Sequence, residues 1–208
     1  MIDQKHASDF IITAIVLLYK EEERKVVAKM TYPQEMDFLI ANAARNKFIK
    51  NLTLSLKGNT LLLFQFVDKH GKILYNMIKE EAEAQGRKVF FIHGGVAGDE
   101  REAIRHIVMK EKNAIIIASF GTMSTGTNIP NLDDVIFASP SKGKIRNLQS
   151  IGRVLRKADG KTIATLYDIA DDLAWNDKKN YTLLHFVERM NIYAQEQFEY
   201  KTYTVKIT

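Results

Sequence analysis

The chain has 208 residues, of which 46% are hydrophobic and 26% charged, as is typical of one folded domain of ordinary size. Its net charge is +5 and its pI is about 9.2, an excess that suits a polyanionic partner but also occurs in proteins without one. The lack of cysteine excludes disulfide bonds and thiolate metal sites, and no run of about 18 apolar residues could cross a membrane. These properties predict a cytoplasmic protein with no membrane partner.

The pattern of apolar residues divides the chain into an N-terminal arm (1–58), a core (59–175) and a C-terminal segment (176–208). In the arm, residues 11–19 are predicted to form a strand. A helix is predicted to open at Pro33 and to run past Leu52, ending at Gly58. The arm either stands apart from the core or forms part of the same domain.

Short apolar runs alternate with amphipathic stretches along the core. The C-terminal segment is predicted to form a helix from Tyr181 to Phe198 and a strand from Tyr200 to Ile207. The predicted core strands are 61–66, 88–92, 114–118, 134–138 and 162–167. The predicted core helices include 70–85 and 144–157. Between them, another helix is predicted to begin at Asp99, with Glu102 as its capping-box partner.

This alternation predicts an α/β fold, in which crossover connections build a parallel sheet covered by helices on both faces. Ligands of such sheets bind beyond the carboxyl ends of the strands. We therefore expect the residues that carry chemistry to lie in the loops that follow the strands.

The octet from Gln149 to Arg156 is the most informative segment. On a helix, Gln149, Arg153 and Arg156 share one face, while Leu148, Ile151 and Leu155 share another that can pack on the sheet. Arginine suits phosphate because its guanidinium is always charged, planar and able to donate two parallel hydrogen bonds. Taken alone, the octet is equally compatible with a solvated basic face.

A segment rich in small hydroxyl residues and glycine, residues 118–130, follows the third core strand. Hydroxyl and backbone N–H groups can donate to a phosphodiester, and glycine allows the backbone to approach it closely. An ordinary turn after a strand is the alternative interpretation.

The pattern Gln149-x-x-Gly152-Arg153-x-x-Arg156 resembles motif VI of superfamily 2 helicases. The resemblance implies a RecA-like second motor domain, whose motif VI lines the cleft that it forms with a first RecA-like domain. By this resemblance Arg156 is a catalytic arginine finger on the γ-phosphate of ATP, and Arg153 contacts the phosphates beside it. Gln149 is implied to couple the bound nucleotide to closure of the cleft.

Residues 118–130 are similar to motif V of the same family, with Ser119-Phe120 where many members have Thr-Asp and one extra residue before Gly126. The similarity implies that Gly126 and Asn128 approach the nucleotide ribose. It places Ser119, Thr122 and Ser124 toward the nucleic-acid backbone.

Two shorter segments occur in the family's order. Residues 63–67, followed by His70, resemble motif IV, and His93-Gly94-Gly95 resembles the region where a loop and a helix N-terminus contact the nucleic-acid backbone. A buried strand and a glycine turn explain both segments fully, and this interpretation is the favoured one when each segment is taken alone. Neither histidine has a second ligand at a suitable spacing, and the acidic residues 168, 171 and 172 are interpreted as turn acids at a strand end. No metal site is predicted.

The sequence contains neither a Gly-x-x-x-x-Gly-Lys-Ser/Thr loop nor a magnesium-binding Asp-Glu box. In the family these belong to the first RecA-like domain. The resemblance therefore implies that ATP and Mg2+ are bound mainly by that partner domain, and that this chain supplies half of the ATPase site. We expect the chain alone to be inactive as an ATPase and to be part of a longer protein or one subunit of a split enzyme.

A finer similarity, through residues 119–128, 149–157, 161–173 and 180–200, is to the recombination and fork-remodelling DNA helicases of large tailed phages. It implies branched DNA as substrate, a role in recombination and DNA repair, and the host cytoplasm as location. Transcription-repair translocases and restriction-enzyme motor subunits share the motifs, so a duplex translocase that does not unwind DNA is an alternative. A non-enzymatic nucleic-acid-binding module derived from a helicase half is another.

Overall fold

The computed structural model describes residues 10–124, 129, 131–140 and 164–208. None of the helices in these ranges is long and apolar enough to span a membrane. The strands are β1 (Phe10–Leu18), β2 (Thr60–Phe64), β3 (Val89–Ile92), β4 (Ile115–Ser119), β5 (Asp134–Phe137), β6 (Ala164–Asp172) and β7 (Tyr200–Lys206). The helices are α1 (Glu21–Val27), α2 (Tyr32–Ala41), α3 (Ala43–Ser55), α4 (Lys72–Ala84), α5 (Gly98–Val108), α6 (Phe120–Ser124) and α7 (Tyr181–Gln195).

All seven strands form one parallel sheet in the order β3-β4-β2-β5-β6-β1-β7. This confirms the predicted parallel α/β fold. The strands of the N-terminal arm and of the C-terminal segment join the same sheet, because β1 pairs with β6 on one side and with β7 on the other. The division into units at residues 58 and 175 remains a prediction.

Side chains alternate between the two faces of each strand, and they build a hydrophobic core on each face of the sheet. In β2, Leu61 and Leu63 point to the face that α5, α6 and α7 cover, while Leu62 and Phe64 point to the face of α1 to α4. The central strands β2 and β4 are buried along their whole length. This double burial explains why these strands are continuous apolar runs in the sequence.

The helix predicted from Pro33 to Leu52 is two helices, α2 and α3, divided at Asn42. The Asn42 side chain accepts a hydrogen bond from the Arg45 backbone N–H at 2.9 Å and so caps α3. It also donates to Glu23 Oε1 at 3.0 Å. A side chain that caps a new helix competes with continuation of the previous one, which is why periodicity alone missed the break.

The helix predicted from residue 70 begins with a π-helical turn, Val67–Gly71, before α4. Gly71 packs directly on the Phe64 ring, and a Cβ at this position would lie 2.5 Å from that ring. Close packing at Gly71 and buried hydrogen bonds from His70 hold this uncommon turn in place.

Two further sequence predictions are wrong in detail. Strand β6 runs to Asp172, so Asp168 and Asp171 lie inside a strand and do not form turn acids at its end. Helix α5 begins at Gly98 without a side-chain cap, and Glu102 pairs with Arg105 at 2.6 Å instead of closing a capping box. The predicted helix 144–157 lies outside the described residues.

Candidate nucleic-acid and nucleotide site

The carboxyl ends of the parallel strands lie along one edge of the sheet. Strand β4 is followed in sequence by β5, which lies on the opposite side of β2, so the connections diverge at this point of the edge. Such a switch in strand order leaves a crevice where ligands bind in open α/β sheets. The loops after β3 and β4 are neighbours there, because Ile92 pairs with Ala118.

The hydroxyls of Ser119 and Thr122 contact each other at the end of β4. Their oxygens are 2.7 Å apart, and the exposed fractions of the two residues are only 8% and 4%. The Thr122 backbone N–H also points to Ser119 Oγ, at 3.4 Å. As placed, both hydroxyls stabilise the first turn of α6, and because both residues are buried, contact with a ligand would require the hydroxyls to become exposed. Ser124 ends α6, and its side chain lies outside the described part of the chain.

Phe120 anchors the start of this segment in the core. Its ring packs edge-on against Phe137, with 5.4 Å between the ring centroids, and Met123 is buried beside it. This apolar anchor accounts physically for phenylalanine at position 120. It fixes α6 to the sheet by packing.

The loop after β3 places His93, Gly94 and Gly95 on the surface. The Gly95 N–H donates to His93 Nδ1 at 3.1 Å, and the Val96 N–H donates to the His93 carbonyl oxygen at 2.9 Å. Gly94 has open space where a Cβ would be, so a ligand could approach its backbone closely. Asp99 and Glu100 lie exposed in the first turn of α5, and their negative charge opposes an anion at that helix end.

The residues predicted to contact the nucleotide lie outside the described part of the chain. Two of them lie in the sequence between α6 and β5, and three lie between β5 and β6. Strands β5 and β6 are neighbours in the sheet. The residues concerned are Gly126, Asn128, Gln149, Arg153 and Arg156.

A buried hydrogen-bond chain, which the sequence analysis missed, fixes the end of β5. The Gln65 N–H donates to Ser139 Oγ at 2.9 Å, and this oxygen lies 3.1 Å from His70 Nδ1. His70 Nε2 lies 3.0 Å from Asn46 Oδ1, whose amide nitrogen donates to the Ile40 carbonyl oxygen. One consistent assignment follows: His70 is neutral, donates from Nε2 and accepts from Ser139 at Nδ1.

Burial and, to a smaller extent, the nearby positive charge of Arg45 together lower the pKa of His70 to about 3. His70 therefore stays neutral, and the hydrogen-bond chain stays intact, at any ordinary pH. The only sequence signal for this role was a histidine shortly after a buried strand.

Two buried ion pairs hold β6 to helices on opposite faces of the sheet. Asp171 accepts from Arg45 Nε at 2.8 Å and from the Tyr19 hydroxyl at 2.6 Å. Asp168 accepts from Arg189 Nε at 2.8 Å and from the Tyr193 hydroxyl at 2.7 Å. Burial, followed by the neighbouring carboxylate, raises the pKa of both tyrosine hydroxyls, so these remain protonated donors.

A third buried carboxylate caps α7. Glu35, on α2, accepts from the backbone N–H groups of Tyr181 and Thr182 at 3.0 and 2.9 Å. It also accepts from the Asn180 amide and the Thr182 hydroxyl. The negative charge at the helix N-terminus ties the N-terminal arm to the C-terminal segment. Among the described residues, no group of three or more His, Asp or Glu side chains is placed to hold a metal ion.

Comparisons with known proteins show which family has this architecture. Residues 43–158 match the helicase conserved C-terminal domain family. Over 220 residues, the chain is 34% identical to the ATP-dependent DNA helicase uvsW of Enterobacteria phage T4, and the match covers 100% of this chain and 43% of that protein. The crystal structure of T4 UvsW superposes with a TM-score of 0.82 and 35% identity, over 96% of this chain and 42% of that chain.

The C-terminal domain of the DEAD-box protein Dbp5 has the same fold, with a TM-score of 0.59 at 12% identity over 96% of this chain and 91% of that chain. This chain spans 43% of the length of the T4 helicase, so it corresponds to about half of such a protein. The family match over residues 43–158 takes in more than half of the chain. The chain belongs to the helicase conserved C-terminal domain family and is a RecA-like second domain of a superfamily 2 helicase, similar to UvsW.

Proposed function

We propose that this chain is the second motor domain of an ATP-dependent DNA helicase that acts on branched DNA, by fork regression and branch migration. The observation that carries the proposal is the 34% identity to T4 UvsW, which extends over 100% of this chain. The parallel sheet supports it, because its carboxyl edge offers a crevice beside the loops in which the predicted ligand residues occur.

The phosphate contacts of the nucleotide half-site are proposed to come from the segment between β5 and β6, and the ribose contacts from the segment between α6 and β5. Arg156 serves as the arginine finger, Arg153 contacts the phosphates, and Gln149 couples the nucleotide to closure on the first domain. A preplaced guanidinium stabilises the charge that develops on the transferred phosphoryl group, an effect of about 10³–10⁵ in rate in related NTPases. Gly126 and Asn128 approach the ribose.

ATP and Mg2+ are proposed to be held mainly by the first RecA-like domain. Mg2+ would neutralise the phosphate charge when bound there. This chain adds cations to the opposite wall of the cleft and excludes water from it by closing.

The DNA track is proposed to follow the loops after β3 and β4. His93, Gly94 and Gly95 offer exposed backbone to a phosphodiester, and Gly94 leaves room for close approach. Ser119, Thr122 and Ser124 lie on the neighbouring strand end. Because Ser119 and Thr122 contact each other in this structure, their part in the track requires their hydroxyls to turn toward DNA when it binds.

The first experiment compares ATP hydrolysis, with and without forked DNA, by this chain alone and by the longest native polypeptide that contains it. We expect the chain alone to be inactive and the longer protein to be stimulated by DNA. Hydrolysis by the chain alone would mean that it holds a complete phosphate-binding site, which contradicts the half-site proposal.

The finger assignment is tested with Arg156→Ala in the longer protein. The expected result is loss of hydrolysis, by about 10³-fold or more, with the fold and most DNA binding retained. Lys157→Ala, which removes the same charge from the next residue, is the matched control and should retain activity. Normal turnover by Arg156→Ala would refute the assignment.

The alternatives are separated by what the longer protein does to DNA. A helicase displaces the strand of a forked duplex, whereas a translocase that does not unwind displaces only a triplex-forming strand. A non-enzymatic binding module would do neither and would show no DNA-stimulated hydrolysis.

A further inference from the structure

A cavity lies at the part of the carboxyl edge that the proposed motor loops do not use. The last residues of β6, β1 and β7 are level, because Leu18 pairs with Asp172 and with Lys206. These strands extend beyond β5, whose last residue, Phe137, pairs with Asp168. Between their ends and α1 is a cavity of about 310 Å³.

Most of the charged side chains that line this cavity are positive. Lys20, Arg24 and Lys206 line it, and Asp172 is the only acidic side chain among the described residues that do so. Lys20 and Lys206 are exposed, and neither forms an ion pair with a described carboxylate. Asp172 accepts a hydrogen bond from the Ala174 N–H at 3.0 Å. The lining therefore has an excess of positive charge.

The acidic residues nearby, on α1, have partners of their own. Glu21 pairs with Lys25 at 2.6 Å, and Glu23 accepts from the Asn42 amide and from the Lys20 backbone N–H. Glu22 is exposed in the same turn. These acids reduce the field around the cavity without lining it.

Arg24 is held in place before any ligand binds. Its Nε donates to the Ala174 carbonyl oxygen at 2.8 Å, and its guanidinium carbon lies 5.7 Å from the centre of the Trp175 ring. Trp175 begins a tight turn in which Asn176 and Asp177 both have positive φ, and which closes with an antiparallel bridge to Lys178. A cation that is already ordered loses little entropy when it binds an anion.

We propose that this cavity binds a phosphodiester group of DNA and forms a second DNA contact on the same sheet edge as the motor loops. The inference rests on the proposed function, because it takes DNA as the ligand. From β4 to β1 is a distance of four strand steps, about 19 Å at roughly 4.8 Å per step. DNA that contacts both places therefore extends about six nucleotides beyond the motor track, at about 3.4 Å per nucleotide.

The test compares salt dependence of binding to fluorescein-labelled forked DNA. The cavity variant carries Lys20→Gln and Lys206→Gln in this chain. The control, Lys57→Gln/Lys110→Gln, makes the same charge change at exposed positions just before β2 and β4, at the amino edge of the sheet. If both cavity lysines contact phosphates, the slope of log K against log salt concentration becomes shallower by about 1.8 in the cavity variant and stays unchanged in the control.

Trp175 is the only tryptophan of the chain, and its ring lies beside Arg24, which lines the cavity. Forked DNA should change its fluorescence in the unmodified chain and in the control but not in the cavity variant. Equal salt slopes for both variants would overturn the cavity proposal while leaving DNA-stimulated hydrolysis by the longer protein, and so the proposed function, intact. A fluorescence change with inorganic phosphate but none with DNA would also overturn it, because the cavity would then bind a free anion.

Discussion

Two aspartates, three positions apart in β6, lie on opposite faces of the sheet. Because side chains alternate across a strand, Asp168 faces α7 and pairs with Arg189, while Asp171 faces α3 and pairs with Arg45. Both carboxylates are fully buried. A charge in such a place is tolerated only with a hydrogen-bonded partner, so each pair fixes the position of one helix on the sheet.

We expect Arg189→Met to destabilise the fold by about 3–5 kcal/mol, because it leaves the buried Asp168 carboxylate without a counter-ion. Urea denaturation of the variant and the unmodified chain measures this loss. The triple variant Asp168→Leu/Arg189→Met/Tyr193→Phe removes the whole polar cluster and should recover most of the stability. A loss below about 1 kcal/mol for Arg189→Met would show that the pair is unimportant.

The π-helical turn shows how an element can be fixed by contacts far away in sequence. His70 reaches Ser139 at the end of β5 and Asn46 on α3, and Gly71 lies against the Phe64 ring. The turn therefore joins the end of β5 to the helices of the N-terminal arm. The segment that carries the proposed arginine finger begins immediately after this junction.

The same histidine should make stability depend on pH. Its pKa is about 3 in the folded chain and about 6.5 when unfolded, so the stability present above pH 6.5 is lost as the pH falls toward 3. Between pH 7.5 and 5.5 this loss amounts to about 1.4 kcal/mol.

Urea denaturation at pH 7.5 and 5.5 checks this prediction when the chain is compared with His70→Gln. The variant is expected to be less stable at pH 7.5 but to lose less of its remaining stability on acidification. Equal losses in both proteins would mean that the protonation of His70 does not control this pH dependence.

At the scale of the whole molecule, the N-terminal arm and the C-terminal segment each contribute a strand to the sheet. Strand β1 lies between β6 and β7, and Glu35 of the first arm caps the helix of the C-terminal segment. The boundaries predicted at residues 58 and 175 would separate Asp171 from Arg45 and Asp168 from Arg189. We therefore propose that the N-terminal arm, the core and the C-terminal segment fold together.

A polypeptide limited to residues 59–175 tests this view. We expect it to show no cooperative unfolding transition, because both buried aspartates would lose their partners and β6 would lose its neighbour β1. Circular dichroism during a urea titration, with the 208-residue chain as reference, measures the transition. A sharp transition in the fragment would show that the core is an independent domain.

The sequence by itself determined the fold class, the order of most elements and the positions of the helicase motifs. These depend on local information: the alternation of apolar runs, helical periodicity and the spacing of residues within one segment. The bounds of β1, β4 and β7 were predicted to within one or two residues for this reason. The same local information did not predict the helix break at Asn42 or the end of β6. A side-chain cap determines the first, and β6 is held by buried ion pairs.

Only the tertiary structure decided which strands are neighbours, which hydroxyls are engaged and which charges are paired. Arg45 and Asp171 are 126 positions apart, and no local pattern links them. Ser119 and Thr122 were predicted from their position after a strand, yet only their packing showed that they contact each other. The cavity between the ends of β6, β1 and β7 likewise exists because segments from both ends of the chain meet at one edge of the sheet.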